Sequence, residues 1–169
     1  SGSLRTTFLN WRRQQITHLV ASVHAQAKAA KPNVKISAAV FPNANSAYDE
    51  VGQDWRSWID QGLVDFLCPM DYTTGLAGFT NLVSQQLGYA AGRIPVYPGI
   101  GAFILETDGT LIQILETRKF KTGGFILFEL SASSAANLLP KISEGATVSE
   151  DSDGDNDFLP DAWEIRWFG

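Results

Sequence analysis

The sequence is poor in the residues that usually announce chemistry. Among 169 residues there is one cysteine, Cys68, and there are two histidines, His18 and His24. Cys68 lies inside an apolar run, where a lone thiol reads as core packing rather than as a reactive group, and it says nothing about redox compartment. The two histidines stand six residues apart on a predicted helix, which is not the adjacent-turn spacing of a metal-binding pair. There is no basic patch, and the formal net charge is −5, which argues against nucleic acid as a partner. No apolar run approaches the roughly 20 residues needed to span a membrane. Residues 1–7 lack the basic start and apolar core of a signal peptide. An initiating Met is also missing, so the chain is expected to be a piece of something longer. The run Pro98-Gly99-Ile100-Gly101 lacks the glycine pattern of a nucleotide fingerprint.

What is present is a globular composition, with 44% hydrophobic and 18% charged residues. The length suffices for one domain with a real core. Asn10 is placed to cap a helix starting near Trp11, with Ile16, Leu19, Val20, Val23 and Ala27 as one apolar stripe. Pro32 closes it. Residues 34–41 read as a strand, 43–52 as a polar loop and 53–61 as a short helix ended by Gly62. Residues 64–72, Val-Asp-Phe-Leu-Cys-Pro-Met-Asp-Tyr, form the most buried-looking strand. A helix follows at 79–91, with Leu82, Val83, Leu87 and Ala90 inward. A strand broken by Pro95 and Pro98 runs over 94–100. The helix at 108–120 turns Leu111, Ile112, Leu115 and Phe120 inward. A strand at 125–130 and a last helix at 133–139, stopped by Pro140, complete the series. After Ser143 the composition shifts to Ser, Glu, Gly and Asp, which marks a linker.

Strands alternating with helices imply parallel strands with right-handed crossovers. A small doubly wound sheet and the second half of an eight-stranded (β/α)₈ barrel both fit. A helix before any strand favours the half-barrel, cut after its fourth strand.

The order of several segments carries a resemblance. Trp11-Arg12-Arg13, Ala38-Ala39-Val40-Phe41-Pro42, the run from Asp65 through Pro69-Met70-Asp71-Tyr72, Pro95-Val96-Tyr97-Pro98-Gly99-Ile100-Gly101, and Gly124-Phe125-Ile126-Leu127-Phe128-Glu129 resemble the carboxyl-terminal half of the bacterial glycosyl-hydrolase-like family ten. More distantly, Met70-Asp71-Tyr72 and the strand ending at Glu129 look like the sixth and eighth strands of family-eighteen chitinase barrels. The resemblance covers roughly residues 8–140. It implies a (β/α)₈ barrel that acts on a polysaccharide at the carboxyl ends of its strands. It also implies a key acid at the end of the fourth strand. No residue of this sequence matches that acid, so the segment alone is expected to be inactive.

Two acids end predicted strands, Asp71 and Glu129. Glycoside hydrolysis needs two carboxyl groups about 5 to 10 Å apart. Strands separated by one other place these two about 10 Å apart at the backbone, so they are the catalytic candidates. Alternation of side chains along a strand complicates this. If Met70 and Tyr72 face inward, as the resemblance implies, Asp71 faces inward only if the strand has already ended; otherwise it caps a loop or a helix start. By the same parity an inward Phe128 turns Glu129 away. Met70, Tyr72, Tyr97, Phe128 and Asn43 are the candidate substrate contacts, with ring packing and local hydrogen bonding as the competing reading for the aromatics. Asp65, at the start of its strand, and Trp55 and Trp58, at helical spacing, read as structural.

The tail has the sharpest motif. From Asp153 it reads Asp-Gly-Asp-Asn-Asp-Phe-Leu-Pro-Asp-Ala-Trp-Glu. Asp153, Asp155, Asp157, Asp161 and Glu164 fall where a calcium loop places its oxygen ligands, and Leu159 would offer its carbonyl. Phe158 stands where such a loop normally has glycine. The segment resembles thrombospondin type 3 repeats and dockerin loops. The competing reading is a solvated acidic linker. The expected organisation is a half-barrel over residues 1–142, a linker over 143–152 and a calcium-binding repeat over 153–169. The expected function is a segment of a secreted or cell-surface glycoside hydrolase, with a polysaccharide as ligand and structural calcium in the tail. Its two open sheet edges call for the amino-terminal half-barrel or for self-association. The alternative is a non-catalytic carbohydrate-binding barrel.

Overall fold

A computed structural model describes residues 2–143 together with Gly154, Asp161 and Ile165. The elements run α1 (Gly2–Ala30), β1 (Ser37–Val40), α2 (Ala44–Ser46), a π-helical turn (Ala47–Val51), α3 (Trp55–Asp60), β2 (Phe66–Pro69), α4 (Leu76–Ala90), β3 (Gly99–Gly101), α5 (Thr107–Lys119), β4 (Ile126–Phe128), α6 (Ala132–Asn137) and α7 (Leu139–Lys141). This is a mixed α/β chain of short parallel sheets and helices, consistent with a partial barrel. It divides into two compact units, Ser1–Met70 with Ser84–Tyr97, and Asp71–Val83 with Pro98–Gly169. No helix among the described residues is long and apolar enough to cross a membrane.

In the first unit β1 and β2 pair in parallel, with Ser37 opposite Phe66 and Val40 opposite Pro69. A single parallel bridge joins Leu67 to Val96. Pro95 and Pro98 lack the N–H that a continuous ladder needs, so the strand expected over 94–100 breaks into this bridge and a separate β3. The core consists of Val40, Ala44, Ala47, Trp55, Trp58, Ile59, Val64 and Leu67, with Ile16 and Val20 of α1 packed against it. The Trp58 indole N–H donates to Thr17 Oγ1 at 3.0 Å, which satisfies its polar atom inside that core. Asp65 accepts from Lys28 Nζ at 2.9 Å and from the Ile36 N–H at 2.7 Å, so it fastens α1 and the chain before β1 to the start of β2.

Helix α1 begins at Gly2, eight residues before the expected cap. Nothing between Ser3 and Asn10 breaks a helix, and Asn10 uses its side-chain oxygen to accept from Arg13 instead of capping. The expected single stripe divides. Ile16 and Val20 pack inward, while Leu19 and Val23 remain 64% and 50% exposed. The supposed loop at 43–52 is helical. Gly52, at φ 76°, closes the π-helical turn, and a Cβ there would stand 3.0 Å from Ile16 Cδ1 and 3.3 Å from Arg12 Nε. That close approach lets the Arg12 guanidinium donate to the carbonyls of Asp49 and Glu50.

In the second unit β3 and β4 pair in parallel, Gly99 opposite Ile126 and Gly101 opposite Phe128. Phe79, Val83, Ile100, Leu111, Ile114, Leu138 and Ile142 are buried there. Ile112, expected inward, is exposed. Thr122 Oγ1 donates to the Gly124 carbonyl at 2.7 Å and shapes the turn into β4. Gln113 Nε2 donates to the Thr73 carbonyl at 2.8 Å and ties α5 to the loop before α4. Pro140 does not stop a helix. It occupies the first turn of α7, where its missing N–H costs nothing.

Candidate functional site

The second unit gathers three aromatic rings where chain leaves strands. Tyr72 comes three residues after the end of β2, Phe103 two residues after β3, and Phe128 is the last residue of β4. The Tyr72 and Phe128 rings are stacked, with centroids 5.7 Å apart and planes 19° from parallel. Phe103 stands edge-on to both, at 5.5 Å from Tyr72 and 5.8 Å from Phe128. Aromatic pairs in these two geometries each contribute about 0.5–1.5 kcal/mol beyond burial. Yet Phe103 is 53% and Phe128 47% exposed, so a contiguous part of the cluster faces water. Exposed apolar surface of this kind marks interaction sites more often than scattered single residues do.

Gly101 makes the arrangement sterically possible. It is the buried last residue of β3, and a Cβ there would lie 3.2 Å from Phe103 Cε1, 3.2 Å from Tyr72 Cβ and 3.1 Å from Ile104 Cγ1. A side chain there would need Ile104, Phe103 and Tyr72 to give by a few tenths of an ångström.

Asp71 follows the regular strand, since β2 ends at Pro69. The parity argument therefore does not fix its direction. It is wholly buried, whereas Glu129 is exposed beside Phe128. The Tyr72 hydroxyl titrates above its ordinary value, first because burial disfavours the phenolate and then because the Asp71 charge repels it. At neutral pH Tyr72 thus presents a hydroxyl that can both donate and accept.

The remaining predicted contacts lie in the first unit. Asn43 caps α2, its Oδ1 accepting from the N–H groups of Asn45 and Ser46 at 3.0 Å each. Met70 is half-buried, and its N–H donates to the Val40 carbonyl at 2.9 Å. The Tyr97 ring packs 5.2 Å from Phe66. Cys68 is half-buried, and desolvation pushes its thiol up, only partly offset by a hydrogen bond with Ser37. His24 Nδ1 lies 3.0 Å from the Leu63 carbonyl. A polar cleft of about 320 Å³ beside α1 includes Arg13, Tyr48, Asp54, Ser57 and Gln61. Its polar groups mostly engage one another. Arg13 lies over the Tyr48 ring at 3.8 Å and donates to the Tyr48 carbonyl, Asp54 accepts from the Ser57 N–H, and Gln61 donates to Ser57 Oγ. Such a cleft holds a fold together.

Of the calcium-loop residues, Asp153, Asp155, Asp157, Leu159 and Glu164 lie outside the described residues. Asp161 is described, and its Oδ1 accepts from the Gly154 N–H at 2.7 Å. Among the described residues no three potential metal ligands cluster.

Sequence reasoning missed Phe103 and the role of Gly101. The available signal was an apolar pair, Phe103-Ile104, in a loop directly after a glycine-rich strand end.

Short parallel sheets alternating with helices define a mixed α/β protein. The family profile Glycosyl hydrolase-like 10 matches residues 3–96, more than half of the chain, and the chain belongs to that family. Glycosyl hydrolase DigH of Escherichia coli (strain K12) is 34% identical over a stretch covering 37% of this chain and 18% of that protein. Glycosyl hydrolase YngK of Bacillus subtilis (strain 168) is 31% identical, covering 37% of this chain and 15% of that protein. The matched stretch thus spans less than a fifth of these relatives. The role is glycoside-hydrolase related. The family match includes Asp71 and Tyr72 and stops before Phe103, Phe128 and Glu129.

Proposed function

We propose that the chain supplies the sugar-binding half of a glycoside hydrolase barrel that acts on a polysaccharide. The observation that carries this reading is the half-exposed ring cluster of Tyr72, Phe103 and Phe128, in a member of a glycosyl-hydrolase-like family. A sugar ring has apolar C–H faces and polar edges. Exposed aromatic faces bind the former, and a phenol hydroxyl or a carboxylate binds the latter. Glu129, exposed and next in sequence to Phe128, is the acid this reading assigns to the glycosidic oxygen. Asp71, buried beside Tyr72, adds to burial in raising the phenol, which donates as a neutral hydroxyl. Hydrolysis needs a second reactive carboxyl group. It comes from the amino-terminal half-barrel of the parent chain, which also covers the strand edges; self-association is the other way to cover them. The acidic tail, through Asp153, Asp155, Asp157, Leu159, Asp161 and Glu164, binds calcium as a structural ion. The protein works outside the cell or at its surface, where polysaccharides are met.

The complete burial of Asp71 favours a second reading, in which the chain binds a glycan without cleaving it. Titration of the protein with neutral β-linked oligosaccharides tests the shared part. Phe128→Ala is expected to weaken binding about tenfold, a change of about 1.4 kcal/mol. Unchanged affinity in both Phe128→Ala and Tyr72→Ala, with the fold intact, would remove the ring cluster from the site. Release of reducing sugar by the parent protein, and its loss in Glu129→Gln, separates the hydrolase from the binder.

A further inference from the structure

Next to the ring cluster, still within the second unit, lies a cleft of about 240 Å³ lined by Phe103, Glu106, Thr107, Ser131 and Ser133, among others. Phe103 belongs to both features. Its ring meets Tyr72 and Phe128, and the residue also lines the cleft. The cleft differs from the polar one in the first unit in how its groups are engaged. Ser131 and Ser134 hydrogen-bond reciprocally in a capping box, and Thr110 donates to the Glu106 carbonyl. Three other groups remain available. Glu106 is the N-cap residue of α5, but its side chain makes no cap hydrogen bond. Among the described residues its carboxylate has no hydrogen bond or ion pair, and the same holds for the Thr107 hydroxyl. Ser133 Oγ accepts a 3.3 Å bond from Asn137 Nδ2, which leaves its O–H free to donate.

A lone carboxylate, two hydroxyls and a half-exposed ring suit a particular ligand chemistry. The carboxylate only accepts, and it can accept from two adjacent hydroxyls at once. It repels anions, and the nearby Lys141 ammonium is held by Asp108 at 3.2 Å. A cation would need more than one hard oxygen ligand from the protein, and no group of three ligating residues occurs among the described residues. The volume is below the roughly 300 Å³ at which pockets begin to hold drug-sized ligands, so it suits one ring rather than a chain.

We propose that this cleft is a second sugar subsite, which holds one neutral monosaccharide unit adjacent to the unit on the Tyr72–Phe128 face. Glu106 accepts hydrogen bonds from a pair of neighbouring ring hydroxyls, Thr107 and Ser133 bond a third, and Phe103 forms the boundary between the two subsites. This assignment rests on the sugar-binding reading of the ring cluster.

The test is calorimetric titration of the protein with two series of neutral oligosaccharides, β-1,4-linked N-acetylglucosamine and β-1,4-linked glucose, each from one to six units. In at least one series, affinity is expected to rise about tenfold at a single added unit, the worth of a hydrogen bond or two to a charged group. Glu106→Ala is expected to erase that step while leaving shorter oligomers bound as before. Phe128→Ala is expected to weaken every length. Because the Glu106 side chain is exposed and makes no internal bond, its removal should leave the melting temperature unchanged. A step that persists in Glu106→Ala, or affinity that shows no step with length, overturns the subsite and leaves the ring cluster standing. Absence of binding at every length in both series removes the sugar-binding reading, and this subsite with it.

Discussion

The first unit buries Trp55 and Trp58 in its core while Phe8 and Trp11 of α1 stand 55% and 54% exposed, and the second leaves Phe103 and Phe128 about half in water beside strand ends. Trp55 and Trp58 are 1% and 3% exposed, against 53% for Phe103 and 47% for Phe128. The polar groups follow the same division. Beside α1, Arg13, Tyr48, Asp54 and Ser57 bond to one another. Beside β3 and β4, Glu106 and Thr107 face a cleft with no partner among the described residues. Rings and polar groups that satisfy one another stabilise a fold. Rings and polar groups left to water at strand ends are available to a ligand.

The largest expected effect breaks this comparison most directly. Trp55→Ala should cost about 3–5 kcal/mol, the usual range for a fully buried large aromatic. Phe103→Ala should cost less, about 1–3 kcal/mol, because half its surface is already solvated and it loses mainly its two ring contacts. Chemical denaturation of the two variants measures both. Similar losses at the two positions would mean that Phe103 is a core residue in another guise.

A smaller effect sharpens the electrostatic side of the comparison. In the first unit Asp65 titrates below its ordinary value, chiefly through its hydrogen bond from Lys28 and then through the Ile36 N–H, with burial opposing. Its folded value lies below the unfolded one near 3.8, so its contribution is fully present above that pH. It is lost as pH falls through the lower folded value. Asp65→Asn should therefore cost about 1–2 kcal/mol at pH 7, a range for a partly covered charged hydrogen bond. The gap between parent and variant should close in acid. Denaturation midpoints followed from pH 7 to pH 2 read this out, and a gap that does not narrow would remove the ion-pair account.

Much of this division was written in the sequence, though unevenly. Helices and strands alternate where periodicity and breakers place them, because buried strands and amphipathic helices leave strong local patterns. Trp55, Trp58 and Asp65 were legible as structural for that reason. The site was legible in part. Tyr72 and Phe128 stand at strand ends, but Phe103 lies in a loop, where no periodicity distinguishes a clustered, half-exposed ring from an ordinary one. Periodicity also marks Leu19 and Val23 as apolar without saying whether anything covers them. The burial of Asp71 was hidden because parity assumes a continuous strand, and β2 stops at Pro69. The calcium motif falls on residues that, apart from Asp161 and Gly154, lie outside those described.

The smallest expected effect concerns the one titration that links the ring cluster to an acid. The Tyr72 phenol is raised by burial and, second, by the negative charge of Asp71. Replacing Asp71 with Asn removes the second cause and leaves the first. The alkaline transition of Tyr72, followed by phenolate absorbance above pH 10, should therefore move down in Asp71→Asn but remain above that of an exposed tyrosine. The sign carries a stability consequence. A folded value above the unfolded value near 10 means that the native state holds this proton more tightly. Its contribution is complete below that pH and is lost as pH rises through the folded value. Asp71→Asn should make that alkaline loss begin and end over a narrower range. If the transition does not move, Asp71 is not charged beside Tyr72, and a protonated Asp71 becomes a candidate proton donor in its own right. That outcome would put a neutral acid beside the Tyr72 ring and leave burial as the sole cause of the raised phenol.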